Sequence, residues 1–237
     1  MKCVIVDRRV SEECQRNLLL HGFFPILLPS YSKMTAAIAS HPDSLLFRYK
    51  NELVVPTDYC EEALPAFTDL RASCDVRLRF CDVPLGSGFP NDARMNALVM
   101  GNKIFCNTKT VSDRILGLAQ ERGLTICHTS QAYPACSVLA LGERYAITSD
   151  AGLSRVLSEN GISVTLIRSG GIALPPYEYG FIGGASGVYD GKVYFLGDYL
   201  SHPDGEIIRS AVLSAGFTPI SLSRGALVDL GGMLFFD

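Results

Sequence analysis

A pattern of apolar runs and turn signals recurs about every 47 residues, and this periodicity constrains the fold more than any single motif does. After Cys136, residues 137–141 are apolar, Gly142-Glu143 marks a turn, and residues 145–148 form a second apolar run. A helix-period stretch over 151–160 follows, then Gly161 and an apolar run over 162–167. The same order runs through 187–195, 203–215, Gly216 and 217–222, with Asp190-Gly191 at the turn. It runs again through 93–106, 111–122, Gly123 and 124–128, with Gly101-Asn102 at the turn, and more weakly through 44–55, 59–71 and 76–80. A fifth copy opens at Gly231-Gly232 and residues 233–236, and the N-terminal segments 3–6, 11–21 and 23–28 complete it.

One unit of this size cannot bury its own apolar face, so the units are expected to pack as one domain over 1–237. The approximate modules are 41–90, 91–135, 136–182, 183–229, and 230–237 joined to 1–40. Each reads strand, tight turn, strand, helix, strand. The nearly all-apolar first strands suit coverage on both faces. The helices are amphipathic, with Val111, Ile115, Leu118 and Ala119 on one side of the third. Ser11, Ser112 and Ser201 are the expected caps, with Pro203 in a first helical turn, and Gly22, Gly123, Gly161 and Gly216 close four of the helices. The expectation is a radial arrangement whose last strand, 234–236, pairs beside the first, 3–6.

The composition agrees with a globular protein: 48% hydrophobic, 19% charged, net charge −3. No block of like charges is present, which argues against nucleic acid or an anionic membrane as a partner. No segment reads as a signal peptide or a membrane span, and a cytoplasmic location is expected. The eight cysteines then read as thiols of a reducing compartment, and their spacings suggest neither a metal site nor a bound cofactor. Oligomeric state leaves no mark in the sequence.

Five strand-strand-helix-strand units about a pseudo-fivefold axis resemble the pentein fold, a five-bladed α/β propeller of ββαβ modules, here with the ring closed by the two termini. Members of that fold include the guanidine-modifying enzymes arginine deiminase, dimethylarginine dimethylaminohydrolase and glycine amidinotransferase. They also include the ribosome anti-association initiation factor, which is not an enzyme. The strings Gly180-Phe181-Ile182-Gly183-Gly184-Ala185-Ser186-Gly187 and Gly197-Asp198-Tyr199-Leu200-Ser201-His202-Pro203-Asp204 resemble a bacterial family assigned to the fold. That resemblance implies the fold and no particular activity.

In a ring of this kind the residues just before each first strand face the axis. They are His41-Pro42-Asp43, Asn91-Asp92, Ala135-Cys136-Ser137, Gly183-Gly184-Ala185-Ser186 and Asp229. Cys136 is the candidate nucleophile, since a thiolate attacks an electrophilic carbon well. His41 is the candidate acid/base, and Asp43, Asp92 or Asp229 could orient it or hold a cation. Asn91, Ser137, Gly184 and Ser186 complete the candidate substrate-binding set. The alternative for Cys136 is a buried small hydrophobe, for His41 to Asp43 a turn, and for the glycines close packing at a crowded axis.

The resemblance implies a Cys, a His from an H-x-D motif and carboxylates that grip a guanidinium, and His41-Pro42-Asp43 matches H-x-D. Where those enzymes carry E-G-G-D, this chain has Gly183-Gly184-Ala185-Ser186, and Cys136 lies two modules after His41 rather than one. His202-Pro203-Asp204 repeats the tripeptide ahead of a helix and reads as structural. Two functions follow: a cofactor-independent, amidinohydrolase- or amidinotransferase-like enzyme acting on a C–N bond of a small molecule in the central pocket, or a non-catalytic binder or ligand sensor of the same fold.

Overall fold

A computed structural model describes residues 2–237. The chain opens with β1 (Lys2–Asp7), α1 (Glu12–Leu20) and β2 (Phe23–Leu28). A single helical turn, α2 (Pro42–Leu45), leads into β3 (Phe47–Tyr49), β4 (Glu52–Pro56), α3 (Cys60–Ser73) and β5 (Arg77–Cys81). Then come β6 (Leu98–Met100), β7 (Lys103–Cys106), α4 (Asp113–Glu121) and β8 (Thr125–His128). Another short turn, α5 (Pro134–Ser137), precedes β9 (Val138–Leu141), β10 (Tyr145–Thr148), α6 (Ala151–Glu159) and β11 (Ser163–Leu166). After β12 (Ile172–Ala173) follow β13 (Ser186–Tyr189), β14 (Lys192–Phe195), α7 (Gly205–Ser214) and β15 (Thr218–Ser221), and the chain ends with β16 (Leu227–Val228) and β17 (Leu234–Phe236).

Among the described residues the strands form five three-stranded sheets and one two-stranded sheet, β12 with β16. Every three-stranded sheet has the same plan: its middle strand has one antiparallel neighbour and one parallel neighbour, the parallel one reached through a helix. The middle strands β1, β4, β7, β10 and β14 are the more continuously buried, rather than the strand that opens each unit. Leu53, Val54 and Val55 of β4 are fully buried, whereas β13 buries one residue of four. Each middle strand is hydrogen-bonded to a strand on both edges, so neither edge faces solvent.

The expected pairing of the chain's two ends is present. Cys3, Val4 and Ile5 lie opposite Phe236, Phe235 and Leu234 in an antiparallel register. Phe235 is 1% exposed and packs edge-on against Phe23.

Local chemistry sets the helix ends. Ser11, Ser112 and Asp150 accept the backbone N–H groups of Cys14, Arg114 and Leu153, and α4 buries Ile115, Leu118 and Ala119 as its periodicity predicts. One start differs from expectation. Residues 199–201 form a separate 3₁₀ turn, and α7 begins at Gly205 with Asp204 as its cap, so Pro203 lies outside the helix. Nδ1 of His202 accepts the Asp204 N–H at 3.0 Å, and the Asp204 carboxylate is committed to Arg168. These bonds break the chain direction two residues later than the proline suggests.

Candidate functional site

Three segments converge: the turn that opens at His41, the α5 turn carrying Cys136, and the bend between β16 and β17 carrying Asp229. Backbone and amide bonds hold them together. The Asp43 N–H donates to the Gly231 carbonyl at 3.1 Å. Buried Asn96 donates to the Asp43 carbonyl and accepts the Ala135 N–H at 2.8 Å, stapling α2 to α5. The Gly184 N–H donates to the Cys136 carbonyl at 2.9 Å, and the Gly184 carbonyl accepts from Leu230 and Gly232. A Cβ at Gly184 would collide with the Asp229 carboxylate, and one at Gly231 with His41, so both sites need the missing side chain.

Asp229, fully buried, is the hub. Its Oδ2 accepts from the Cys136 thiol at 3.3 Å and from the Phe181 N–H at 2.8 Å, and its Oδ1 accepts from the Gly231 N–H at 3.0 Å. The His41 ring lies between two acids, with Nδ1 3.9 Å from Asp229 Oδ1 and Nε2 3.9 Å from Asp7 Oδ2. Arg9 neutralises Asp7 through Nε and Nη2, and the Arg9 backbone N–H and the Ser40 hydroxyl add two more bonds to that carboxylate. Asp43 is bonded on Oδ1 by the Ser44 hydroxyl, while its Oδ2 and His41 Nε2 are buried without a hydrogen-bond partner. Such orphaned polar atoms are costly in an interior and common where a ligand binds.

The electrostatics follow from burial and from like charges. Burial first, then the Asp229 and Asp43 carboxylates, holds the Cys136 thiol well above its ordinary range, which favours the protonated form. Burial pushes His41 down and favours neutral imidazole, against the opposing pull of Asp229 and Asp7. Burial, with Asp229 adding to it, raises Asp43 to about 7. In the resting site Cys136 is therefore a thiol that donates to a carboxylate, and the nearby imidazole is uncharged.

His41, Ser44, Asp92 and Cys136 line a cavity of about 420 Å³. Aromatic side chains, Tyr133, Tyr177, Tyr179 and Phe181, form much of its remaining wall. The Tyr133 hydroxyl donates to Asp92 Oδ1 at 2.8 Å. A larger groove of about 800 Å³ between β5 and α4 is lined by Arg94, Lys109 and Arg114, and burial pushes its thiol, Cys81, up to about 11.

The structure thus brings together Cys136, His41, Asp43 and Asp229; Cys136, His41 and Asp92 line the cavity, whereas Asp43 and Asp229 do not. It does not bring in the rest of the expected set. The Ser186 hydroxyl donates to the Ile182 carbonyl at 2.7 Å, Ser137 accepts from Gln131, and Asn91 accepts from Arg94; none lines the cavity. Gly184 acts through close packing against Asp229, and His202 lies outside the cavity lining.

Sequence reasoning missed four contributors. Asp7 ends an apolar run two residues before Arg9, and Asn96 interrupts an apolar stretch; both were detectable as polar residues in buried patterns. Tyr133 and the 177–179 segment lie in irregular chain, where periodicity carries no signal. Among the described residues no helix is long and apolar enough to cross a membrane.

The architecture matches solved structures along nearly the whole chain. A dimethylarginine dimethylaminohydrolase in an adduct with S-methyl-L-thiocitrulline aligns at a TM-score of 0.60 and 9% identity, covering 99% of each chain. The Pseudomonas aeruginosa enzyme of the same name, a mutant complexed with citrulline, aligns at 0.58 and 8%, covering 99% of this chain and 98% of that one. The amidinotransferase SxtG of Microseira wollei, from the saxitoxin biosynthetic pathway, aligns at 0.57 and 12%, covering 98% and 93%. At these identities the likeness is one of fold: the chain has the mixed α/β pentein fold of the guanidine-modifying enzymes. A comparison of the sequence with curated proteins finds no match. A family model does match residues 5–234, and by it the chain belongs to the family of unknown function DUF6873.

Proposed function

We propose that this protein is a cofactor-independent hydrolase or transferase that breaks a C–N bond of a small cationic molecule, with Cys136 as nucleophile and His41 as acid/base. One observation carries the reading: Cys136 and His41 share the Asp229 carboxylate at the buried end of a single cavity. A cation entering beside Asp43, Asp92 and Asp229 cancels the like charges that hold the thiol up, so substrate binding itself makes the thiolate accessible. Cys136 Sγ then bonds to the electrophilic carbon, its proton passing by way of His41 to the nitrogen that leaves. Water, or an acceptor amine in a transferase, next attacks that carbon, gives its proton to His41, and restores the thiol as the S–C bond breaks.

In this reading the five three-stranded sheets are the blades of one propeller domain over 1–237, closed where β17 joins β1. The shared sheet plan and the contacts of β13 with both β9 and β17 support it. The structural neighbours crystallised with citrulline and with S-methyl-L-thiocitrulline support a small, nitrogen-rich ligand in the same fold.

The test is labelling of Cys136 by chloroacetamidine, a cation, against chloroacetamide, its neutral counterpart, followed by mass spectrometry. The reading expects the cation to label Cys136 about tenfold faster or more, ahead of the other cysteines. Equal rates, or no selectivity for Cys136, would sink it. A second reading, a binder without chemistry, draws on the resting state, since a thiol facing two acids beside a neutral imidazole is not a poised ion pair. It expects tight binding of a cation with no covalent adduct on Cys136.

A further inference from the structure

We infer that the groove between β5 and α4 binds a phosphate monoester, its dianionic phosphate held by Arg94, Lys109 and Arg114 and its organic group lying against Phe80 and Pro84. This is a second ligand site, and it stands whether or not Cys136 does chemistry. The central cavity, walled by the 172–180 hairpin that the Gly180–Ile172 bond closes and the Asp229–Ala173 bond anchors, shares no lining residue with it.

The three cations come from different stretches of chain: the turn ahead of β6, the loop after β7 and the first turn of α4. They meet on one groove of about 800 Å³. Among the described residues none of the three forms an ion pair. Arg94 Nε donates to Asn91 Oδ1 at 3.1 Å, which orients the guanidinium and leaves its terminal nitrogens for a ligand. Three cations on three segments suit the three terminal oxygens of a phosphate monoester, whereas a single guanidinium fork already satisfies a carboxylate.

The backbone under these cations is set in advance. Buried Ser112 ties the two arginines together: its N–H donates to the Arg94 carbonyl at 2.8 Å, and its hydroxyl accepts the Arg114 N–H at 3.2 Å. Lys109 is fixed through Asn107, whose Oδ1 accepts the Lys109 N–H at 3.1 Å and whose amide donates to the Ser130 carbonyl at 2.9 Å. Only the ends of the three side chains remain to be ordered when a ligand arrives, which lowers the cost of binding.

Two acids, Asp82 and Asp113, line the same groove and leave one net positive charge, in a chain whose net charge is −3. Asp113 stands in the first turn of α4, where the positive end of the helix offsets it, and a dianion beside it gains from the same end. Asp82 is exposed, so solvent and salt screen it. The organic group of the ester has its own surface. Phe80 is 54% exposed and borders both this groove and an apolar one beside α3, lined by Leu64, Phe67 and Leu78. A ring or alkyl group on the phosphate covers that exposed aromatic face.

The test is titration of the wild-type protein with phenyl phosphate, inorganic phosphate and benzoate at equal ionic strength and about pH 8, where the monoester is dianionic. Calorimetry and the shift in melting temperature are both read. Phenyl phosphate should bind at least about tenfold more tightly than benzoate and about threefold more tightly than inorganic phosphate. Arg94→Gln and Arg114→Gln should each weaken it by about tenfold. Arg114 is exposed, so its variant keeps the fold, and melts of the free proteins check this. Cys81 lies in the groove near Arg114, and a dianion bound there should slow its alkylation by iodoacetamide several-fold. Benzoate binding as tightly as phenyl phosphate overturns the phosphate class, and inorganic phosphate doing so overturns the placement of the organic group. Affinity unchanged in both arginine variants, or Cys81 alkylated at the same rate under saturating phenyl phosphate, puts the ligand elsewhere and overturns the site. Neither heat nor a melting shift with any phosphate overturns the inference entirely. None of these outcomes bears on the reading of Cys136.

Discussion

The Cys136 thiol donates to Oδ2 of Asp229 at 3.3 Å, and that oxygen also accepts the Phe181 N–H at 2.8 Å. The carboxylate restrains the nucleophile and offers a grip for a cation. Asp229→Asn keeps the shape and removes the charge. Alkylation of Cys136 by neutral chloroacetamide at pH 8 should then rise by about tenfold, one pKa unit's worth of thiolate, while the preference for chloroacetamidine falls. The pH-rate profile of alkylation reads both effects. An unchanged profile means that burial and Asp43 hold the thiol up without Asp229.

Asp43 makes stability depend on pH in an unusual direction for a carboxylate. Its folded-state pKa is raised to about 7 from an ordinary value of 3.8. Below about pH 4 it is protonated in both states; between about 4 and 7 the unfolded chain ionises first, so stability falls as pH rises and levels off above about 7. Across this window the loss approaches about 4 kcal/mol at most. His41, pushed down, works the other way, with stability lost as pH falls below about 6.5. That slope is common to wild type and Asp43→Asn and cancels between them. Urea melts from pH 4 to 8 should show the variant's advantage growing with pH, and parallel curves would contradict the placement of Asp43.

Gly184 stands where a methyl group would meet the Asp229 carboxylate. Gly184→Ala should cost about 1–3 kcal/mol in a denaturant melt, the usual range for overpacking. It should also change the rate of Cys136 alkylation, because the Gly184 backbone bonds both to the Cys136 carbonyl and to the bend around Asp229. A loss of stability with an unaltered alkylation rate would show that the segment only fills space.

The two His-Pro-Asp tripeptides separate by experiment. His202→Ala leaves the Asp204 N–H without the Nδ1 acceptor and should cost about 1–3 kcal/mol with no change in Cys136 labelling. His41→Gln should slow labelling by chloroacetamidine or abolish turnover while changing stability less. Thermal melts and mass spectrometry on the same samples distinguish the two roles.

The sequence made the sheet plan legible because five copies of one grammar reinforce each other. Gly142, Gly191 and Gly216, each at positive φ, fall where the turns and helix ends were read. It also singled out Cys136, His41, Asp43 and Asp229, each just ahead of a strand-forming run, and the structure brings these four near one another. It misplaced Ser137 and Ser186, which have the right register and spend their hydroxyls on Gln131 and Ile182. Register says how far along the chain a residue lies, whereas side-chain direction depends on the short turns α2 and α5, which periodicity does not show. The wall from Tyr177 to Phe181 was invisible for a related reason: its conformation is set by the Gly180 N–H bond to the Ile172 carbonyl and the Phe181 N–H bond to the Asp229 side chain rather than by a periodic pattern.

The hairpin over 172–180 and the acid at Cys136 are joined through the backbone of residue 229. A change in the hairpin is therefore also a change in the electrostatic setting of the thiol. Selection for a new ligand cannot act on the cavity mouth while leaving the nucleophile's setting untouched. Loop grafts between homologues should accordingly transfer preference and reactivity as one inherited trait, and libraries that vary 177–179 should hold 173, 181 and 229 constant if the chemistry is to survive.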